Sequence, residues 1–161
     1  IKRKIIFPYK YDNDGLCRYS ESNFESLFPN TAKHFKRYSK ELNDRNSDEN
    51  AQWFEYGRSQ ALTHLNEEKL LISTIITDSV EVYKLDRDTI PFSGIYITVK
   101  DENYTLDDAI EILKSEQFLR YVQSIGISIS GRSLRISCKD INNYEYSGGQ
   151  WNGKTTICNR R

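Results

Sequence analysis

The fold is decided by two neighbouring stretches of the chain, Trp53-Phe54-Glu55-Tyr56-Gly57-Arg58-Ser59-Gln60-Ala61-Leu62 and Lys69-Leu70-Leu71-Ile72-Ser73-Thr74-Ile75-Ile76-Thr77. The second stretch is apolar and β-branched, which predicts a buried strand, so an aspartate at Ile75 is expected to unfold the domain. In the first, aromatic residues lead to Gly57, where we expect a backbone conformation that other residues resist. The polar residues after this glycine are interpreted as a recognition site beside a core strand. A plain turn, in which Arg58 covers the tryptophan, is the alternative.

Length and composition predict one folded domain. The chain has 161 residues, of which 37% are hydrophobic and 29% charged, a balance typical of a protein with a buried core. Its 23 basic and 23 acidic side chains cancel, which excludes a general attraction to nucleic acid or membrane but allows a basic face. No run approaches the roughly twenty apolar residues of a membrane helix, so we expect no membrane segment and a cytoplasmic location.

The sulfur-containing residues point to neither disulfides nor zinc. Cys17, Cys138 and Cys158 are odd in number and widely separated, without Cys-x-x-Cys spacing or adjacent histidines. Methionine is absent, even from position 1. We therefore expect a piece of a longer chain that begins inside a strand.

The first fifty residues predict a hairpin followed by helices. Residues 4–11, Lys-Ile-Ile-Phe-Pro-Tyr-Lys-Tyr, predict a strand that leads to a turn at residues 12–15, and a second strand at 16–19 completes the hairpin. Apolar residues at three- and four-residue spacing predict two helices within 22–42, with caps at Ser22 and at Asn30 or Thr31. Residues 43–50 are all polar and are interpreted as a mobile linker.

The rest of the chain predicts an α+β fold, a single domain with a central mixed or antiparallel sheet flanked by helices. The predicted strands are Leu70–Ile76, Val80–Leu85 and Ile95–Lys100, and their connections are too short for helical crossovers. A capping residue at Thr105 begins a helix, Ser115-Glu116 either continues or restarts it, and Gly126 is the expected end. Period-two alternation around a Gly-Arg turn predicts strands over 127–137. The predicted domain covers 1–146, and 147–161 is interpreted as a tail of low order.

Catalytic and metal-binding patterns are missing from the sequence. The two histidines, His34 and His64, have no local nucleophile beside them and are interpreted as surface residues. Asp86-Arg87-Asp88 lacks the later ligands of a calcium loop and is interpreted as a turn. No glycine-rich phosphate loop is present. We therefore predict a binding module without catalytic residues, metal ligands or a cofactor of its own.

The order of several motifs resembles a known family. They are Trp-x-x-Tyr-Gly-Arg-Ser-Gln-Ala-Leu from Trp53, a Lys-Leu-Leu-Ile-Ser strand, Ile-Leu-Lys-Ser-x-x-Phe-x-x-Tyr-Val in the helical region, and a closing Ser-Gly-Arg-x-x-Arg-Ile-Ser-x-Lys-Asp-Ile. Together they resemble the TaqI-like C-terminal specificity domain, the target-recognition half of adenine-specific DNA methyltransferases of type II restriction-modification systems. The family's proline-containing segment after Lys-Asp-Ile is absent here, where Asn142 and Asn143 follow instead.

The resemblance implies that the parent chain is an S-adenosylmethionine-dependent DNA adenine methyltransferase of a bacterial defence system. In that family a catalytic domain binds the cofactor and holds a flipped adenine in an Asn-Pro-Pro-Tyr loop. The three prolines here, Pro8, Pro29 and Pro91, are never adjacent, so this loop is absent. The implied partners are double-stranded DNA and the missing catalytic domain, and S-adenosylmethionine is expected only in that domain. Whether this piece counts as an enzyme is left open.

Side-chain chemistry selects the predicted DNA contacts. An arginine can form two hydrogen bonds to the major-groove edge of guanine, and a glutamine can do the same to adenine. Hydroxyl and lysine side chains commonly contact phosphates. The predicted contacts are Arg58, Ser59, Gln60, Arg132, Ser133, Arg135 and Lys139, with Lys36, Arg37 and Lys40 as peripheral phosphate contacts. The competing interpretation is a protein interaction module in which these basic residues are merely solvated. Trp53, Phe54 and Tyr56 are interpreted as core residues.

Overall fold

A computed structural model describes residues 3–13, 15–58, 62–63, 65–91, 93–99, 104–146 and 156–160, the last of these by backbone alone. The predicted α+β class is confirmed, and every strand pairing in the described part of the chain is antiparallel. Backbone contacts divide the chain into two compact units, Ile1–Thr63 and His64–Arg161, called here the N-terminal and C-terminal units.

The N-terminal unit is a hairpin followed by short helices. Its elements are β1 (Tyr9–Asp12), β2 (Gly15–Arg18), α1 (Glu21–Leu27), α2 (Pro29–Lys36) and α3 (Ser39–Asp44).

Three boundaries in the N-terminal unit differ from the sequence predictions. The first strand begins at Tyr9 rather than at residue 4, because Pro8 has no N–H to give to a ladder. Ser20, not Ser22, caps α1 by accepting the Asn23 N–H at 3.3 Å. The second helix starts at Pro29, whose fixed φ suits a first helical position.

The described part of the C-terminal unit contains two separate sheets and three helices. Its elements are β3 (Lys69–Ile72), β4 (Ile75–Ile76), β5 (Val82–Leu85), β6 (Ile95–Val99), α4 (Leu106–Lys114), α5 (Glu116–Ile125), β7 (Ile127–Ser130), β8 (Ser133–Arg135), α6 (Cys138–Asn142) and β9 (Thr156–Arg160). The larger sheet has the order β5-β3-β6-β9 and the smaller the order β4-β8-β7.

The predicted strand Leu70–Ile76 is two strands that belong to different sheets. The Ser73 hydroxyl accepts the Ile75 N–H at 3.0 Å, a local bond that diverts the backbone between β3 and β4. Ile76 is buried, whereas Ile75 is 45% exposed. The expectation that an aspartate at Ile75 would bury a charge was therefore wrong, because the buried position is Ile76.

The helix signals of the C-terminal unit are confirmed. Thr105 and Asp108 form a reciprocal capping box at the start of α4, Ser115 caps α5, and Gly126 follows its last residue. The apolar faces of these helices share one core with the larger sheet, through Leu70, Ile72, Ile95, Ile97, Ala109, Leu113, Phe118 and Val122.

Two polar stretches contain more structure than their composition indicates. In the predicted linker 43–50, the Arg45 guanidinium donates to the Gln52 and Trp53 carbonyls at 3.2 and 3.1 Å. At the chain end, where a tail of low order was predicted, β9 pairs with β6 from Val99↔Thr156 to Ile95↔Arg160. The other residues of 147–161 lie outside the described ones. Among the described helices, none has the length and apolarity to cross a bilayer.

Gly94, which precedes β6, is expected to be the least replaceable glycine of the larger sheet. Its φ is +114°, and a Cβ there would lie 2.6 Å from the Ile72 carbonyl oxygen. Gly15 has a similar φ of +112° but open space around it. Its replacement therefore measures the strain of a positive φ alone, without a steric clash of the added Cβ. We expect Gly94→Ala to lower the free energy of unfolding by about 2 kcal/mol more than Gly15→Ala in urea titrations. If the two variants lose the same free energy of unfolding, the close approach of the Ile72 carbonyl to Gly94 is unimportant.

Candidate nucleic-acid interface

Arg58 follows a segment that is held by aromatic contacts within the N-terminal unit. The Phe54 ring stacks on Phe24 at 4.1 Å between centroids with an angle of 3° between the planes. The Trp53 indole N–H donates to a Glu21 carboxylate oxygen at 2.7 Å. Phe54 is buried and Trp53 packs against the same cluster, as the core interpretation of these aromatics predicted.

Two tyrosines continue this anchoring toward Arg58. The Tyr56 N–H donates to the Tyr9 hydroxyl oxygen at 2.9 Å, and the Tyr56 hydroxyl donates to the Ile6 carbonyl at 2.6 Å. Burial is the main cause that raises the pKa of Tyr9 to about 12, with a smaller contribution from the negative charge of Glu55. The phenol therefore stays protonated over the whole neutral range and can continue to act as a hydrogen-bonding partner.

Gly57 is required for a reason other than the one predicted. Its φ is not positive, so the expected special conformation is absent. A Cβ at Gly57 would instead lie 3.0 Å from the Asn46 carbonyl oxygen, and the Gly57 carbonyl accepts the Asp48 N–H at 2.7 Å. The glycine thus allows the segment 46–48 to pack against the backbone directly before Arg58.

Arg58 itself is exposed, and the described residues offer it no hydrogen bond or ion pair. A guanidinium on an anchored backbone, without a partner among the described residues, is available to an external ligand. Ser59 and Gln60, predicted to act beside it, lie outside the described residues.

The predicted peripheral phosphate contacts lie around the junction of α2 and α3. Lys36 ends α2, and its amine forms an ion pair with Glu25 at 2.5 Å, which raises the pKa of Lys36. Arg37 follows at the C-terminal cap and Lys40 lies in α3, both exposed. A phosphate would therefore compete with Glu25 for Lys36, whereas Arg37 and Lys40 have no ion pair with the described residues.

In the C-terminal unit, the hairpin β7–β8 brings together three of the four predicted contacts, Arg132, Ser133 and Arg135. Gly131 has a φ of +56° in its turn, the left-handed region that glycine adopts without strain. Arg132 follows in the turn and forms an exposed ion pair with Asp78 at 3.2 Å. The Ser133 and Thr77 hydroxyls lie 3.1 Å apart. This turn is thus tied to the residues that follow β4.

Arg135 occupies a different environment from Arg132. It is exposed on β8 and has no ion pair with the described residues. Its register partners are Ile75 on one side and Ile127 on the other. The fourth predicted contact, Lys139, is exposed on α6, an element that the sequence analysis did not predict.

Sequence reasoning missed the isoleucines on this sheet. Ile75, Ile127 and Ile129 are 45%, 71% and 43% exposed. The signal was present in the alternation Ile127-Ser128-Ile129-Ser130, but period two alone does not say which face is covered. Only Ile75 was expected to be buried, and all four residues of β7 are exposed.

Two buried charged side chains of the described residues, Lys69 and Glu55, make hydrogen bonds within the fold, although Glu55 Oε1 has no partner there. The Lys69 amine donates to the Asp86 and Thr89 carbonyls at 2.8 and 3.0 Å, and burial lowers the pKa of Lys69. Glu55 accepts the Gln52 N–H at 3.0 Å and lies 3.5 Å from the Arg18 guanidinium. Both side chains therefore stabilise local turns.

No constellation for metal or histidine chemistry is formed by the described residues. They contain no group of three His, Cys, Asp or Glu side chains able to hold a metal ion. His34 is exposed on α2, with its ring 5.5 Å from the Tyr38 ring, and His64 lies outside the described residues. The arrangement that remains is a set of exposed basic side chains on anchored backbone.

Comparison of the chain with family models, with curated proteins and with solved structures finds no match.

Alkaline titration tests the anchoring role of Tyr9. Its pKa is about 12 in the folded state and 10.0 as a free side chain, so the unfolded chain loses the proton first as pH rises. This contribution to stability is complete below pH 10.0 and is lost between there and about pH 12. The loss amounts to at most about 3 kcal/mol, at 1.36 kcal/mol per pKa unit.

The measurement is urea unfolding across this pH range for the wild type and Tyr9→Phe. We expect the variant to be less stable at neutral pH, because the Tyr56 N–H loses its acceptor, and to show a shallower alkaline decline. Parallel alkaline declines in the two proteins would contradict the buried role of this phenol.

Proposed function

We propose that this chain is the DNA sequence-recognition domain of a restriction-modification adenine DNA methyltransferase. It positions the target adenine for a catalytic domain outside the chain, and that domain carries S-adenosylmethionine. Its partners are double-stranded DNA and the catalytic domain, its setting is the cytoplasm, and residues 1–146 form the recognition domain. The order of motifs described above supports this proposal.

The structural observation that carries the proposal is that each unit has an exposed arginine with no ion pair to the part of the chain that the structure describes. Arg58 follows backbone fixed by Phe54 and Tyr56, and Arg135 lies in a paired strand. A side chain on fixed backbone loses less conformational freedom when it binds, so its hydrogen bonds contribute more to discrimination. A guanidinium can donate two hydrogen bonds to the guanine major-groove edge, the commonest specific contact to DNA.

Selection from random duplexes tests the proposal directly. The chain is immobilised and incubated with a pool of random double-stranded DNA at low and at moderate salt, and the retained DNA is sequenced. Enrichment of one short motif that persists at moderate salt is the expected result. Absence of retention even at low salt contradicts DNA recognition by this chain.

A second candidate function is protein interaction, and the exposed isoleucines of the smaller sheet favour it. Salt separates the two, because affinity for DNA falls steeply with the number of phosphates contacted, whereas an apolar protein interface is weakened little. A retained partner protein whose binding persists at high salt would support this second function.

Arg58→Ala is expected to relax sequence discrimination. Loss of one bidentate base contact should weaken binding to the selected motif by about 1 to 3 kcal/mol and should change binding to unrelated duplexes little. Lys40 is proposed to contact a phosphate, so Lys40→Ala should lower the affinity for the motif and for unrelated duplexes equally. It should also reduce the slope of log affinity against log salt concentration by about 1. Fluorescence anisotropy with both duplexes at several salt concentrations distinguishes these patterns.

Arg120→Ala is the matched control, because Arg120 is exposed on α5 and forms a surface pair with Glu116 at 2.7 Å. It removes the same charge from a position with no proposed contact. If Arg120→Ala and Arg58→Ala reduce affinity for the motif equally, the effect is general electrostatics and Arg58 reads no base.

Asp78→Asn is expected to tighten DNA binding. The substitution releases Arg132 from its ion pair and removes a negative charge that would repel phosphate. Because exposed pairs are worth at most about 1 kcal/mol, the gain should be up to about fivefold, with little change in stability. The gain should vanish in the Asp78→Asn, Arg132→Ala double variant. An equal gain in both backgrounds would show that Arg132 makes no contact with DNA.

A further inference from the structure

Two of the three cysteines lie in elements of the C-terminal unit that contact each other. Cys138 is the first residue of α6, and Cys158 lies at the centre of β9. They are about twenty residues apart in the chain, so the sequence spacing indicates no pairing. In the structure, Cα atoms of α6 and β9 lie within 8 Å of one another. A disulfide joins residues whose Cα atoms are about 4.4 to 6.8 Å apart, so the two elements approach closely enough to be bridged.

Strand register places Cys158 on the core face of the larger sheet. Cys158 is the cross-strand partner of Ile97, and such partners lie on the same face of a sheet. Ile97 belongs to the core that this sheet shares with α4 and α5, and Ile141 of α6 is buried in the same core. Cys138 is partly buried and packs against this core. Both cysteines are therefore placed on the same side of the larger sheet.

The position of β9 in the sheet gives a bond between these cysteines a consequence. β9 is the outermost strand in the order β5-β3-β6-β9, and its described pairing is with β6 alone. A strand that pairs on one side opens more easily than a central strand, because fewer backbone hydrogen bonds hold it. A covalent link to α6 would keep β9 in place on β6.

We propose that Cys138 and Cys158 form a reversible disulfide that fastens β9 to α6. Oxidised glutathione is the chemical class of oxidant. The thiolate of Cys138, which is partly exposed, attacks one glutathione sulfur and releases the first glutathione. The Cys158 thiolate then attacks the Cys138 sulfur and releases the second. Two protein thiols are oxidised, one glutathione disulfide is reduced to two thiols, and the two protons pass to the released glutathione.

This reaction runs in both directions, so the ratio of reduced to oxidised glutathione sets the fraction of linked chain. Disulfides in reducing compartments are usually transient and redox-sensing, and a reversible link suits that role. The inference is independent of DNA recognition, because no step of it involves a nucleic acid.

Disulfide mapping tests the link in the full 161-residue chain. The chain is equilibrated with glutathione at graded ratios of thiol to disulfide, and the remaining thiols are blocked with N-ethylmaleimide. Tryptic digestion without reduction is expected to release peptide 136–139 joined to peptide 155–160, which mass spectrometry identifies. The joined fraction should fall as reduced glutathione rises. Absence of this joined pair at every ratio overturns the proposal.

Cys17→Ser is the matched control, because Cys17 lies on β2 in the N-terminal unit. This variant should keep the full yield of the joined peptides, whereas Cys138→Ser and Cys158→Ser should each abolish it. A bond from Cys17 to either of the other cysteines in place of the predicted one overturns the assignment. So does a disulfide-linked dimer that forms instead of the link within one chain.

Hydrogen exchange tests the consequence for β9. The link closes a loop of about twenty residues, and closure of a loop of this size lowers an unfolding equilibrium constant roughly a hundredfold. The β9 amides that bond to β6 should therefore exchange up to about a hundredfold more slowly in the oxidised wild type than in the reduced wild type. Cys158→Ser should show no such difference between oxidising and reducing conditions. Equal exchange rates in the linked and unlinked wild type would show that the bond does not fasten β9.

Discussion

The architecture of the C-terminal unit depends on a change of sheet within one apolar run, which contributes β3 to the larger sheet and β4 to the smaller one. The Ser73 hydroxyl accepts the Ile75 N–H, and the Thr74 carbonyl accepts the Ile136 N–H at 2.9 Å. With the change of sheet, Ile76 stays in the core and Ile75 turns outward.

The outward isoleucine has consequences for the neighbouring strands. β8 pairs with β4, so the residue opposite Ile75 is fixed as Arg135, and β7 adds Ile127 in the same row. The pairing register therefore sets which residues of β4, β8 and the start of β7 face outward, up to the register shift between Ser128 and Ser130.

In the N-terminal unit, aromatic packing rather than strand pairing holds the backbone that precedes an exposed arginine. The described sheet of this unit has only the two strands β1 and β2, and the backbone before Arg58 is positioned by aromatic contacts such as the stack of Phe54 on Phe24. Hydrogen bonds from Tyr56 then fix the backbone that precedes Arg58. Aromatic rings supply large contact areas with few rotatable bonds, so a small unit can hold an exposed side chain in place with few residues.

The sequence allowed prediction of those features that depend on local chemistry. Thr105 with Asp108, Ser115 and Gly126 bound α4 and α5, because caps act within one turn of the chain. The prediction for Gly57 was wrong, because this glycine is needed for a close tertiary contact with Asn46, which the local sequence does not show. β9 was missed for the same kind of reason, since its pairing partner β6 lies far away in sequence.

For the candidate site, residue type predicted which side chains are exposed better than it predicted their surroundings. Arg58, Arg132 and Arg135 are exposed, as an arginine outside the core usually is. The ion pair of Arg132 with Asp78 and the isoleucines beside Arg135 depend on strand register across three segments. Such register follows from sheet pairing, which short motifs do not encode.

Charge balance limits how the proposed DNA contact can work. Basic and acidic side chains are equal in number, at 23 each, and two of the proposed contacts, Lys36 and Arg132, already have acidic partners. Non-specific affinity grows with the number of phosphates that a protein neutralises, so this surface supplies little of it. Discrimination instead depends on a few direct contacts to bases, which are worth about 1 to 3 kcal/mol each. A recognition domain that works beside a second DNA-holding domain needs discrimination more than affinity. A neutral chain with a few exposed arginines on well-anchored backbone suits that division of labour better than it suits a stand-alone DNA-binding protein.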